Sequence, residues 1–137
     1  MILLSEILKG LKEQIGAVTD NIFLEPLPAT DGSMDSFVEI IFPSSVTDNV
    51  EGSDDWWTDV VVQIDLNVKN RSTRKSPNGS DPVKMDALRK SVKSLFPIII
   101  EGETLRYKVT RPLEMIVNLD GGNGYHYTRI QALVRTI

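Results

Sequence analysis

The sequence predicts an α+β fold in which two helices pack on a mainly antiparallel sheet. Apolar and polar residues alternate over 60–68, which is typical of a long strand. Apolar stripes of helical spacing stand at 4–15 and at 83–96. These observations predict the order α-β-β-β-α-β-β-β within a single domain that spans residues 1–137.

The composition describes one acidic domain. A chain of 137 residues buries roughly two thirds of the surface that its unfolded state exposes. The absence of cysteine excludes disulfides and thiolate chemistry. The formal net charge is -4, with 15 basic and 19 acidic residues. Because phosphate backbones repel such a chain as a whole, any contact with nucleic acid has to be local.

The first predicted element is an amphipathic helix at residues 2–15, which Gly16 is expected to end. Its apolar residues are Leu4, Ile7, Leu8, Leu11 and Ile15. The opposite side carries both signs of charge, which favours packing on a core over binding at a membrane surface. Since Glu6 and Lys9 follow the apolar start at once, neither a signal peptide nor a spanning helix is expected.

Two strands are predicted next, separated by the turn signal Asp31-Gly32. Residues 21–27 form a short apolar run that prolines stop, which is typical of an edge strand. Residues 36–42 are apolar on both faces, so both faces of this strand need a cover. One cover is expected to be a helix, and the other is either a second sheet layer or a neighbouring subunit.

Two long loops of opposite charge flank the central strand at 60–68. The loop at 44–56 is acidic and the loop at 70–80 is basic. Their charged residues are Asp48, Glu51, Asp54 and Asp55 in the first loop, and Arg71, Arg74 and Lys75 in the second. Both loops exceed the usual connection of about four to six residues, and long loops often carry function. We therefore predict that these loops form contact surfaces.

The second helix has defined ends. Asp81 is a good N-cap, and Pro82 suits the first helical position. Arg89, Lys90 and Lys93 complement the helix dipole near the other end, and Pro97 stops the helix. Its apolar stripe consists of Val83, Met85, Leu88, Val92, Leu95 and Phe96.

The remainder of the chain has strand patterns. Apolar segments at 98–100 and 105–109 are separated by Glu101-Gly102. Strands at 113–119 and 125–136 are joined by a glycine-rich segment, which predicts a hairpin whose connection needs positive backbone angles.

Residues that could catalyse a reaction are scarce. The only histidine, His126, lies in a strand pattern, and no motif places a serine beside it. One histidine without cysteine cannot complete a transition-metal site within the chain. The segment 118–123 does not match the spacing of a calcium loop or a phosphate loop. Asp54 and Asp55 are expected to be solvated. We therefore expect neither enzymatic activity nor a cofactor or metal.

Trp56 and Trp57 stand side by side before the central strand. Neighbouring residues of a strand point to opposite faces, so one ring can enter the core. The other ring is either an interface anchor or a residue that packs against its own loop. Trp56 is therefore included with the charged loop residues in the hypothetical interface.

The whole arrangement resembles the tail terminator, or tail completion, proteins of long-tailed bacteriophages. The resemblance lies in layout and length and covers nearly the whole chain. It includes the helix at 2–15, the strand block ending in Asp59–Val68, the helix around Met85–Val92, and the closing block that ends in Tyr127–Val134.

This resemblance implies a structural virion protein of the tail or neck, assembled in the host cytoplasm. Six copies would form a ring that caps the tail tube, stops its polymerisation and joins the head connector. Its partners would be further copies of itself, the tail tube protein and the head-tail connector protein. DNA would pass through the channel without specific binding, which the acidic balance suits. Membrane contact, catalytic residues and cofactors are not implied.

Other classes remain open. Another neck or tail-tube ring protein of the same kind of particle would share the ring assembly. A small ligand-binding or regulatory α+β domain would instead form a closed dimer and have a pocket. A nucleic-acid binder would need Arg71, Arg74 and Lys75 to form a patch with other basic residues.

Overall fold

The computed structural model describes residues 2–24, 33–43, 60–71 and 79–137, and these have the predicted α+β architecture. The described helices are α1 (Leu4–Ile15) and α2 (Pro82–Lys93). The described strands are β1 (Ile22–Phe23), β2 (Ser36–Ile41), β3 (Val60–Lys69), β4 (Ile98–Glu101), β5 (Arg106–Val109), β6 (Leu113–Asp120) and β7 (Tyr125–Thr136).

All seven described strands belong to one sheet with the order β1-β2-β3-β7-β5-β4, and β6 also pairs with β7. Neighbouring strands are antiparallel except β1 and β2, which are parallel. β3 lies in the interior of the sheet, between β2 and β7, as predicted. Four strands follow α2, one more than the predicted order contains, because Ile98–Glu101 and Arg106–Val109 are separate strands that pair with each other.

The apolar core lies between the two helices and one face of the sheet, which we call the inner face. It contains Ile7, Leu11 and Ile15 of α1, Met85, Leu88 and Val92 of α2, and every second residue of β3 from Val60 to Val68. Gly10 allows α1 to approach β4 closely, since a Cβ at this position would lie 2.6 Å from Cγ2 of Ile100. Removal of this apolar surface from water is the main force that holds the helices on the sheet.

The ends of the elements follow local chemistry. The Asp81 carboxylate accepts a hydrogen bond from the backbone amide of Lys84 at 3.2 Å, with Pro82 at the first helical position, as predicted. Gly16 follows the last residue of α1 but keeps a right-handed conformation, with φ of -57°. Gly122 and Gly124 have φ of 75° and 88°, which confirms the positive angles expected in the last hairpin. Among the described residues, neither helix has the length and apolar character needed to cross a membrane.

The other face of the sheet, which we call the outer face, buries polar side chains. Gln63, Asp65 and Asn67 of β3 are 6%, 8% and 6% exposed, although alternation alone is typical of a strand with one solvated side. Arg129 donates two hydrogen bonds to the Asp65 carboxylate, at 3.0 and 3.2 Å, and Asn67 donates one to Glu39 at 3.2 Å. An interior strand has neighbours on both sides, so its polar side chains are covered by those of adjacent strands.

Candidate functional site

Most of the predicted loop interface lies outside the described residues. This holds for Asp48, Glu51, Asp54, Asp55, Trp56, Arg74 and Lys75. Arg71 is described and exposed, and its backbone forms an antiparallel bridge with that of Gly79, with N–O distances of 2.9 and 3.0 Å. The assignment of the two loops as contact surfaces stays a prediction.

His126 is a buried strand residue that connects β7 to both ends of the basic loop. Its Nε2 accepts a hydrogen bond from the Asp81 amide at 3.0 Å, and its Nδ1 lies 2.8 Å from Oδ1 of Asn70. A neutral ring that carries its proton on Nδ1 satisfies both contacts. Because both ring nitrogens are engaged, the arrangement gives His126 a structural role at the N-terminus of α2.

One cleft of about 400 Å³ lies between α1 and β4. Half of its ten lining residues are charged, namely Glu6, Lys9, Glu13, Glu101 and Glu103. Small-molecule pockets are instead lined predominantly by apolar and aromatic side chains. The character of this cleft therefore gives little support to a ligand-binding domain. In the described ranges, no three histidine, cysteine, aspartate or glutamate side chains are grouped as a metal site requires.

Glu6, within this cleft, acts as a link between elements. Its carboxylate accepts hydrogen bonds from the Tyr107 hydroxyl and from the Glu103 amide, each at 3.1 Å. Burial, together with the adjacent Glu6 carboxylate, raises the pKa of Tyr107. These contacts hold α1 against the β4–β5 hairpin, so the carboxylate has a structural function.

A row of exposed apolar side chains lies on β6. Nine large apolar side chains of the described residues are exposed, and four of them belong to this strand of eight residues. They are Leu113, Met115, Val117 and Leu119, with 72%, 55%, 47% and 49% of their surface exposed. We call these four residues the β6 stripe. Soluble monomers rarely expose contiguous apolar patches larger than a few hundred Å², and larger patches mark interaction sites.

The backbone of β6 forms an open and irregular edge. Among the described strands, β6 pairs with β7 alone. Its register shifts twice, between Glu114 and Ile116 and between Ile116 and Leu119. Asn118 has a positive φ of 54°, and its amide donates to Oγ1 of Thr128 at 3.0 Å. Irregularities of this kind discourage regular addition of a further strand, so the edge is suited to side-chain contacts.

Glu114 anchors β6 to α2. Its carboxylate accepts hydrogen bonds from Arg89 at 3.0 and 2.6 Å and from Lys93 at 3.0 Å. The hydrogen bonds from Arg89, and then those from Lys93, lower the pKa of Glu114. The carboxylate is therefore ionised, and Arg89 and Lys93 balance its charge. These contacts fix β6, and with it the β6 stripe, on α2.

A second exposed surface lies on the outer face at the other end of β7. Ile99 is paired in register with Lys108, which is paired in turn with Arg135. Residues paired in register share a face of the sheet, so these three side chains form a row. Ile137 and Val61 extend it, and the exposed fractions of Ile99, Ile137 and Val61 are 41%, 59% and 36%. We call these five residues the β4–β7 patch.

Neither surface is expected from the sequence. The strand predicted at 113–119 is present, and its alternation contains the signal for the stripe. The β4–β7 patch has no counterpart in the sequence pattern, because it combines residues from four strands and from the chain end that only the sheet order brings together.

Comparison with known proteins identifies the fold alone. No protein-family model matches the sequence, and no curated protein matches it either. Six solved chains match the structure. One of them aligns with 100% of this chain and 97% of its own, with a TM-score of 0.68 and 11% sequence identity. The name of that protein describes no activity, so the similarity extends to the architecture and no further.

Proposed function

We propose that this chain is a structural virion protein that assembles into a ring, caps the tail tube of a long-tailed bacteriophage and joins it to the head connector. The observation that best supports the proposal is the β6 stripe on an open sheet edge. An exposed apolar edge strand is an aggregation hazard in a monomer unless an assembly covers it. A subunit of a permanent ring buries such a surface against its neighbour.

The electrostatics of the chain also support this role. The formal net charge of -4 disfavours retention of DNA by the protein as a whole. On the outer face, the guanidinium of Arg129 is held by two hydrogen bonds to Asp65, and these contacts raise the pKa of Arg129. A cation that is neutralised in this way contributes little attraction for phosphate, which suits a channel through which DNA moves without specific binding.

The proposed partners are further copies of this chain, the tail tube protein and the head-tail connector protein. The protein would then reside in the tail or neck of the virion after assembly in the host cytoplasm. The acidic and basic loops are assigned to contacts with neighbouring subunits or with the tube. No catalytic step, cofactor or metal forms part of this proposal.

The first test is the mass and shape of the purified protein. Gel filtration with light scattering should give about six times the chain mass of 15.3 kDa, and negative-stain electron microscopy should show rings. A monomer mass over a wide range of protein concentration, together with an absence of rings in micrographs, would contradict the proposal.

A second measurement separates a terminator from another ring protein of the tail. The purified chain is added to tail tube protein during polymerisation, and tube lengths are measured by electron microscopy. A terminator shortens the tubes and appears as a cap at one end, with an effect that depends on its concentration. If the chain instead polymerises into tubes by itself, it is a tube protein.

A further inference from the structure

We infer that the cleft between α1 and β4 binds an extended segment of a partner protein as an added strand, and that cationic and apolar residues alternate in this segment. Three features carry the inference, namely unpaired backbone groups on β4, the elongated lining of the cleft and its excess of carboxylates. The inference does not depend on the proposed ring, because it concerns a different edge of the sheet and a partner other than this chain.

β4 is the last strand at its end of the sheet, so one side of its backbone is open. Among the described strands it pairs with β5 alone, in an unbroken register. The Gly102 amide donates to the Leu105 carbonyl at 2.8 Å, and residues of an antiparallel pair face the partner strand alternately. Ile100 therefore faces β5, whereas Ile99 and Glu101 face away. The backbone groups of these two residues have no partner within the described part of the chain.

One end of this edge already has an acceptor supplied by α1. The Glu103 amide, which follows β4, donates to the Glu6 carboxylate at 3.1 Å. The edge is thus closed at Glu103 and open at Ile99 and Glu101. A strand edge with unpaired donors and acceptors is a template for the addition of a further strand.

The shape of the cleft suits an extended chain. Its lining combines residues 99–103 with one side of α1. The helix residues recur at intervals of three or four, and they include Glu6, Lys9, Gly10 and Glu13. These two walls extend roughly 13 Å along the strand and roughly 11 Å along the helix. An added strand of about four residues spans this length.

The cleft contains carboxylates that no cation neutralises. Glu6, Glu13 and Glu103 form no ion pair with another described residue. The hydrogen bonds that Glu6 accepts come from neutral donors, a hydroxyl and a backbone amide. The fourth carboxylate of the lining, that of Glu101, is paired with an arginine. Lys9 is the one cation among the described lining residues, so three unpaired carboxylates against one lysine leave an excess of two negative charges.

The two sides of the added strand would meet different surroundings. Neighbouring residues of a strand point to opposite faces of the sheet. Residues on the inner face meet α1 and its carboxylates, which favours lysine or arginine there. Residues on the outer face lie beside Ile99, whose side chain is 41% exposed, which favours apolar side chains.

The occupant of the cleft is a segment of another protein. Within the described residues, Arg106–Val109 alternates cationic and apolar residues, but this segment is already paired on both sides. A second copy of the chain therefore has no described segment of this kind to offer. The partner protein supplies the cationic strand.

The test uses isotope-labelled protein and a short synthetic peptide of alternating lysine and valine. Amide signals in nuclear magnetic resonance report binding, and hydrogen exchange of the Ile99 and Glu101 amides should slow because both gain acceptors. A peptide with glutamate in place of lysine, and one with all lysines before all valines, are the controls. Each control peptide should bind at least about tenfold more weakly.

Two pairs of variants separate the backbone from the charge. Ile99→Pro removes an amide that faces the open edge and leaves the bonds to β5 in place, while Ile99→Val keeps the amide. Glu13→Lys with Glu103→Lys reverses the charge of the cleft, and Asp20→Lys makes the same change at an exposed position outside it. Ile99→Pro and the double reversal should each weaken binding of the lysine peptide at least about tenfold, whereas Ile99→Val and Asp20→Lys should bind as the parent does.

Circular dichroism establishes that each variant is folded, and if Ile99→Pro is not, the double reversal and the exchange of the two amides decide. The inference is overturned if the parent does not bind the lysine peptide, if the two control peptides bind equally well, or if the double reversal binds as the parent does. Loss of self-assembly in Ile99→Pro but not in Ile99→Val would show that a second copy occupies the edge, which also overturns it. The proposed ring is judged separately, by the mass of the parent protein.

Discussion

The first half of β7 lies between β3 and β6. These two strands differ in the regularity of their pairing and in their burial. β3 pairs with β7 through ten consecutive residue pairs, and eight of its ten residues are buried. β6 pairs with β7 in a register that shifts twice, and none of its eight residues is buried. One strand belongs to the core, and the other forms an open edge.

Their sequences nevertheless share one pattern. Apolar residues recur at every second position in Val60–Val68 and in Leu113–Leu119. The apolar side of β3 meets the helices on the inner face. The first and last residues of the β6 stripe pair with Gln131 and Tyr127, whose side chains lie on the outer face. Alternation thus establishes that a strand has an apolar side, while the position of the strand in the sheet decides what that side contacts.

The largest expected change in stability comes from a substitution in β3, the strand that belongs to the core. Ile64→Ala should lower the free energy of unfolding by about 2–5 kcal/mol, because Ile64 is fully buried on β3 and its truncation leaves a cavity between sheet and helices. Urea unfolding followed by tryptophan fluorescence measures this change.

Leu113→Ala on β6 is the matched control, since it also shortens an apolar side chain of an alternating strand. At a concentration where light scattering gives the monomer mass, Leu113→Ala should lower the free energy of unfolding by less than about 0.5 kcal/mol. Equal losses from the two substitutions would mean that β6 is buried within the monomer and that the contrast between the strands is wrong.

An intermediate effect is expected from the contact that fixes β6 on α2. Glu114→Gln should reduce stability at pH 7 by about 1 kcal/mol, since Arg89 and Lys93 lose a charged acceptor. The folded state lowers the pKa of Glu114 below the usual 4.5, so its contribution is complete above that value and is lost as the pH falls through the lowered pKa.

Thermal melts of the parent and of Glu114→Gln between pH 7 and pH 3 test this prediction. The difference between the two proteins should be largest at neutral pH and should shrink towards pH 3. A difference that is constant across this range would show that the carboxylate charge does not stabilise β6.

The smallest expected effect concerns the middle of the stripe. Val117→Thr keeps the shape and the β-branched character of a side chain that is 47% exposed, so the stability of the monomer should change by less than about 0.5 kcal/mol. Assembly should weaken measurably, because the hydroxyl enters the proposed contact. Thermal melts measure the stability of the monomer, and a concentration series in light scattering measures assembly. A destabilised monomer with unchanged assembly would mean that Val117 packs within the monomer.

Several elements followed from local chemistry. The N-cap at Asp81 with Pro82 behind it, the helical spacing of Ile7, Leu11 and Ile15, and the glycines of the last hairpin each determine a local conformation within a few residues. The predicted start and end of the last strand agree with Tyr125–Thr136. The β4–β5 hairpin has no such local signal, because its two short strands are recognisable only once they pair.

The sequence by itself therefore determined the class of the fold, both helices and the buried alternation of β3, because these depend on spacing along the chain. Only the tertiary structure decided that Arg129 covers Asp65, that His126 holds the amide of Asp81, and that β6 is an edge. Each of these depends on which distant strand lies alongside. Pairing between distant strands is set by the packing of the whole sheet, and a period of two residues is the same for a strand in the interior and a strand at the edge.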